Sequence, residues 1–194
     1  MSDFKVRQLY GGAIEISIPS RFIDITAFRV IPDHQECFVD DRTDQSIIIE
    51  LLERQDHVAD HESAAFHFNV VADEADVAAD KRTILNHRAL TKTDMPHFED
   101  EVPKFILLGK QMMSKFNETA ENTLNVYMAI VRLNRSKTDL LITLNAPLTL
   151  SSESSSVKAV GGTVPSFNPQ EVENIFVELL KTLHIKDYSL FQHQ

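Results

Sequence analysis

Two histidines four residues apart, His57 and His61, with Asp60 beside the second, are the first residues whose spacing could do chemistry. Imidazoles at that interval chelate zinc when both lie on one helical face, and an adjacent acid could then serve as a base. Asp is a methylene shorter than the Glu such sites use, no third ligand follows from spacing, and Asp60 reads as a helix cap. The pair is therefore read as solvated, and no metal is expected. Cys37 with His34 three residues before it could form a nucleophilic pair. On a strand, positions 34 and 37 project to opposite faces, so Cys37 reads as inert packing. Gly109-Lys110 lacks the upstream glycine and the following Ser or Thr of a phosphate-binding loop, because Lys104 and Gln111 stand there. The feature that remains is charge. Between residues 33 and 56 lie Asp33, Glu36, Asp40, Asp41, Asp44, Glu50, Glu53 and Asp56, eight acids against Arg42 and Arg54, hence a local net charge of −6.

Those acids alternate with strand-forming residues, which predicts strands over Glu36–Val39 and Ser46–Glu53 on either side of a turn at Asp40–Asp44. Several of the carboxylates would then line one rigid surface, suited to docking cations. Ile14, Ile16 and Ile18 alternate with Glu15, Ser17 and Pro19, the period of a strand with one buried face. Asp60 is expected to cap a helix carrying Ala64, Ala65, Phe68 and Val71 at helical spacing. Three apolar segments, 104–113, 123–133 and 139–145, read as an antiparallel meander. In the middle one, Leu124, Val126, Met128 and Ile130 point one way and Tyr127, Ala129 and Val131 the other, so both sheet faces need covering. Ser151–Ser166, rich in Ser and containing Gly161-Gly162, reads as a surface loop. After it, Asn168, Pro169 and Glu171 predict a capped helix start with the stripe Val172, Ile175, Phe176, Leu179, Leu180 and Leu183. Lys181 and His184 are placed to complement its dipole.

The chain has 194 residues, enough for one domain with a real core, read here as a single domain over 1–194. A formal net charge of −10 argues against binding to phosphate backbones or anionic lipid, and favours a partner bearing positive charge. One cysteine cannot make an internal disulfide, the first residues lack the apolar run of a signal peptide, and no apolar stretch approaches a membrane span. The expectation is a soluble intracellular protein, monomeric alone.

Leu9–Ile14 (LYGGAI), Phe22–Asp24 (FID), Arg29–Glu36 (RVIPDHQE) and Asp44–Glu53 (DQSIIIELLE), in this order and spacing, resemble the Mog-type Ran-binding proteins, or Ran guanine nucleotide release factors. Thr138–Leu148 and Leu183–Phe191 fit the same family, with a divergent stretch from about Asp73 to Glu101. The resemblance implies an α+β fold, a central, mainly antiparallel sheet with helices on both faces as an α/β/α sandwich. It implies a protein of the nucleus, with a cytoplasmic pool, that binds the GTPase Ran in its nucleotide-free or GTP-bound form, stimulates nucleotide release and supports nuclear import. It ties the acidic pair Asp33 and Glu36 to Ran, with Asp24, Arg29, Asp44 and Glu53 at further motif positions. No cofactor and no bond chemistry are implied: carboxylates compete for the positive groups that hold the nucleotide phosphates. Two other readings are an acidic adaptor that leaves nucleotide state unchanged and a small metal-dependent hydrolase using His57 and His61.

Overall fold

The computed structural model describes residues 3–26, 28–114, 121–149 and 168–191. Ten strands and two α-helices occur among them: β1 (Phe4–Leu9), β2 (Ile14–Pro19), β3 (Ile23–Asp24), β4 (Gln35–Asp40), β5 (Gln45–Glu53), α1 (Ser63–Glu74), β6 (Arg82–Ala89), β7 (Lys104–Ser114), β8 (Glu121–Leu133), β9 (Thr138–Thr149), α2 (Pro169–Thr182) and β10 (His184–Ile185). Seven strands form a sheet in the order β3-β4-β5-β9-β8-β7-β6, and β1-β2-β10 form a second. Every pairing is antiparallel.

The alternation in β8 decides the layers. Val126, Met128 and Ile130 meet Ala64 and Phe68 of α1, with Leu107 and Leu141 from the flanking strands. Tyr127, Ala129 and Val131 turn the other way, into a larger core with Ile14, Ile16 and Ile18 of β2, Ile47, Ile49 and Leu51 of β5, and the stripe of α2. The mixed α/β class with a large antiparallel sheet therefore holds. The α/β/α sandwich is not confirmed: among the described residues α2 packs in the larger core together with β2 and β10, and α1, of twelve residues, packs in the smaller one.

The isoleucines of β2 are wholly buried, as period two requires, and Val172, Ile175, Phe176, Leu179, Leu180 and Leu183 are buried along α2. Asn168 caps α2 by accepting from Gln170 N–H, Pro169 opens it, and Lys181 pairs with Glu178. His184 lies beyond the helix, in β10 opposite Glu15, stacked 4.2 Å from the ring of His97. Lys181 is the basic residue of the last turn of α2. The expected loop at Ser151–Ser166 lies outside the described residues. Gly109 is a seat for packing: a Cβ there would overlap the ring of Phe68, so only glycine lets α1 approach β7 this closely. No helix among the described residues is long and apolar enough to cross a membrane.

Candidate functional site

β3 and β4 are antiparallel neighbours at one edge of the large sheet, and these two strands with the loop joining them carry four of the six residues singled out by motif, Arg29 and Asp33 lying in the loop itself. Asp24 closes β3 and its Oδ1 accepts from Thr26 N–H and Thr26 Oγ1, at 2.8 and 2.7 Å. Arg29 is exposed, with its backbone N–H donating to Ile25 O at 2.9 Å. Asp33 is exposed at the turn into β4, where Gln35 N–H donates to Pro32 O. Glu36, on β4, is half-buried and its Oε1 accepts from the backbone N–H of Tyr10 at 2.7 Å.

Tyr10 makes that contact informative. It sits in the turn between β1 and β2 with φ 49°, followed by Gly11 at φ 67° and Gly12 at φ 96°, so the chain holds positive φ at three successive residues. Its hydroxyl lies 3.0 Å from His34 O and 2.9 Å from Ile49 O, to which it donates. Burial, with the Glu36 and Glu50 carboxylates beside it, pushes the phenol far above its ordinary pKa and keeps it a donor. One residue thus ties the small sheet to Glu36 and to the turn presenting Asp33.

The remaining motif residues lie apart. Asp44, at φ 55°, is in the β4–β5 turn, beyond the opposite end of β4 from Asp33; the six residues of β4 put roughly 20 Å between those ends. Glu53 ends β5, exposed, opposite Thr138. The expectation of several acids on one surface is corrected here, because alternation divides them. Glu36 and Asp40 face the small sheet, where Asp40, 1% exposed, is bridged by Arg21 at 2.7 Å. Glu50 faces the α1 side and accepts from Gln35 at 2.6 Å; burial raises its pKa against the opposing effect of that bond. Asp56 is held by Arg54 and Lys137.

The histidines expected to be solvated lie ahead of α1 and on its leading 3-10 turn, Asp60–Glu62. His57 meets Phe66 edge-on, and no group of three metal-ligating side chains occurs among the described residues. Asp60 is not a side-chain cap; Arg54 and Arg132 hold it at 3.0 and 2.8 Å. Cys37 is half-buried and its thiol is pushed up by burial, against the pull of Arg29, which keeps it poorly nucleophilic.

Sequence reasoning missed Tyr10 and a fully buried ionic network. Arg132 and Asp139 face each other across β8 and β9, both 0% exposed, with Arg132 Nε 3.1 Å from Asp139 Oδ1. Arg132 also donates to Val58 O and Gln55 O, each at 2.7 Å, and His67 Nε2 lies 3.0 Å from Asp139 Oδ2. Burial pushes the Asp139 carboxyl up, but the His67 and Arg132 bonds outweigh it and hold the group below the ordinary range. The available signal was two opposite charges interrupting apolar strands at equal distances from a four-residue turn. A cavity of about 800 Å³, bordered by Glu99, Val102, Arg132, Leu133, Tyr188 and Phe191, contains none of the six candidate residues Asp24, Arg29, Asp33, Glu36, Asp44 and Glu53.

Comparison with known proteins places this geometry. The chain is 54% identical over 190 residues to a protein of Dictyostelium discoideum named "Probable ran guanine nucleotide release factor", covering 98% of this chain and 97% of that one. It is 31% identical to the "Nuclear import protein mog1" of Schizosaccharomyces pombe, covering 95% and 98%. The crystal structure of the Saccharomyces cerevisiae Ran-binding protein Mog1p matches with a TM-score of 0.72 and 27% identity, over 98% of this chain and 100% of that one. The family model described as "Ran-interacting Mog1 protein" matches residues 7–147, and the chain accordingly belongs to the Mog1 family.

Proposed function

We propose that this protein binds the GTPase Ran, stimulates release of its guanine nucleotide and thereby supports nuclear protein import, acting in the nucleus and in exchange with the cytoplasm. The observation that carries the reading is the near full-length 54% identity to a protein named as a probable Ran guanine nucleotide release factor. The mechanism is one of binding. A GTPase retains nucleotide through a lysine, backbone amides and magnesium that all present positive charge to the phosphates. A protein that prefers the nucleotide-free state must weaken nucleotide affinity by the same factor, since coupling between two ligands is reciprocal.

The residues assigned to Ran are Asp33 and Glu36 first, with Asp24 at the end of β3 and Arg29 in the β3–β4 loop, and Asp44 and Glu53 at the ends of the β4–β5 hairpin. Exposure of Asp33 supports a direct contact. The Tyr10 bond supports a second role for Glu36, in fixing the turn that presents Asp33. The deciding experiment follows fluorescent nucleotide leaving Ran with and without this protein. Accelerated release, lost in Asp33→Lys with an unchanged circular dichroism spectrum, is the expected result. Binding without acceleration would replace this reading with that of an acidic adaptor.

A further inference from the structure

The β3–β4 loop exposes the two most solvent-accessible large apolar side chains among the described residues, Phe28 at 82% and Val30 at 98%. Ile23, 45% exposed on β3, adds a third at the same sheet edge. The loop backbone beneath them is tethered: Phe28 and Arg29 N–H both donate to Ile25 O at 2.9 Å, and Ile25 N–H donates to Cys37 O at 3.2 Å on β4. Asp24, at the end of β3, and Arg29 and Asp33, in the loop, flank the apolar pair in sequence. Exposed apolar side chains, an aromatic among them, with charged residues within a few positions in the chain match the anatomy of a protein-binding hot spot, in which a few central side chains carry most of the affinity.

We infer that Phe28 and Val30 are the apolar anchor of the Ran interface and that the surrounding charges form its rim. This rests on the function proposed above and adds the source of affinity, because rim charges set the encounter rate while desolvated anchors set the lifetime of a complex. The occupant is a face of Ran with an apolar recess edged by basic side chains. A second copy of this chain fits poorly, since pairing two such loops brings Asp24 and Asp33 against their counterparts in a chain of net charge −10.

The test measures Ran binding by stopped flow and at equilibrium, at low and high salt, for the wild type, Phe28→Ser/Val30→Ser, Phe28→Leu and Asp33→Asn. The double variant is expected to weaken Kd by about 100-fold, mainly through faster dissociation, with the salt dependence of association retained. Its unfolding midpoint should match the wild type, as both side chains already face solvent. Phe28→Leu should keep most of the affinity, and Asp33→Asn should instead slow association and flatten its salt dependence. Wild-type affinity in the folded double variant overturns the inference while leaving the proposed function standing. A wild type that fails to bind Ran overturns both. A wild-type dimer that the double substitution converts to monomer, with Ran binding unchanged, assigns the loop to self-association and also overturns it.

Discussion

Glu36 offers the sharpest test of how position and charge divide in this site. Its Oε1 accepts from Tyr10 N–H at 2.7 Å, from a half-buried position. A net contribution of about 1.5–3 kcal/mol is usual for a hydrogen bond to a charged group. Glu36→Ala removes the acceptor and leaves the N–H to water in a turn already strained at Tyr10, so a loss of about 2 kcal/mol is expected. For a chain of this size that lowers Tm by roughly 4–8 °C. Glu36→Gln keeps an oxygen for Tyr10 and is expected to cost less than about 1 kcal/mol. Denaturant unfolding gives the stabilities, and nucleotide release from Ran gives function on the same samples. If Glu36 works by contact with Ran, Gln loses release at nearly full stability; if it works through the turn, Gln retains release and Ala loses it. An unfolding midpoint for Glu36→Ala equal to the wild type would refute the positioning argument.

Three further outcomes follow from the structure. Arg132→Met leaves the wholly buried Asp139 with only the His67 ring and the Gln55 N–H as hydrogen-bond partners and frees the carbonyls of Gln55 and Val58; a loss of about 3–5 kcal/mol in urea unfolding is expected. Gly109→Ala drives a methyl into the Phe68 ring and is expected to cost about 1–3 kcal/mol, much of it recovered by the second substitution Phe68→Leu in a double-mutant cycle. The Arg88 bond, with Thr91 donating from its N–H and hydroxyl, lowers the Asp94 pKa from 3.8 to about 2. Because the folded value is depressed, its stabilisation is present in full above the unfolded value and is lost as pH falls through the folded one. Carbon-detected NMR titration should place Asp94 near 2, rising toward its ordinary value in Arg88→Ala; a value unmoved by that substitution would reject the pairing.

Much of the scaffold was legible locally because one periodicity fixes both the element and its buried face. Ile14, Ile16 and Ile18, the opposed stripes of β8, and the α2 stripe behind Asn168-Pro169 are all of this kind. β1 and β6 escaped notice because they are sheet edges: β6 is exposed along nearly its whole length, so no alternation between core and solvent is imposed on it. β3 and β10, two residues each, are strands only by virtue of the neighbours they meet.

The candidate site divides in the same way. The sequence determined that acids are dense between residues 33 and 56, and its ordered motifs marked the β3–β4 segment. It could not determine which carboxylates are already engaged, because their partners are remote in the chain: Glu36 meets Tyr10 twenty-six residues away, and Asp40 meets Arg21 nineteen away. Alternation sorts residues onto two faces, but only the docking of the small sheet against one of them decides that Glu36 and Asp40 turn inward. Tertiary structure likewise makes Arg132 a buried brace and sets Phe28 and Val30 in solvent beside Asp33. Burial is a property of the closed chain, and a single residue's type leaves it open.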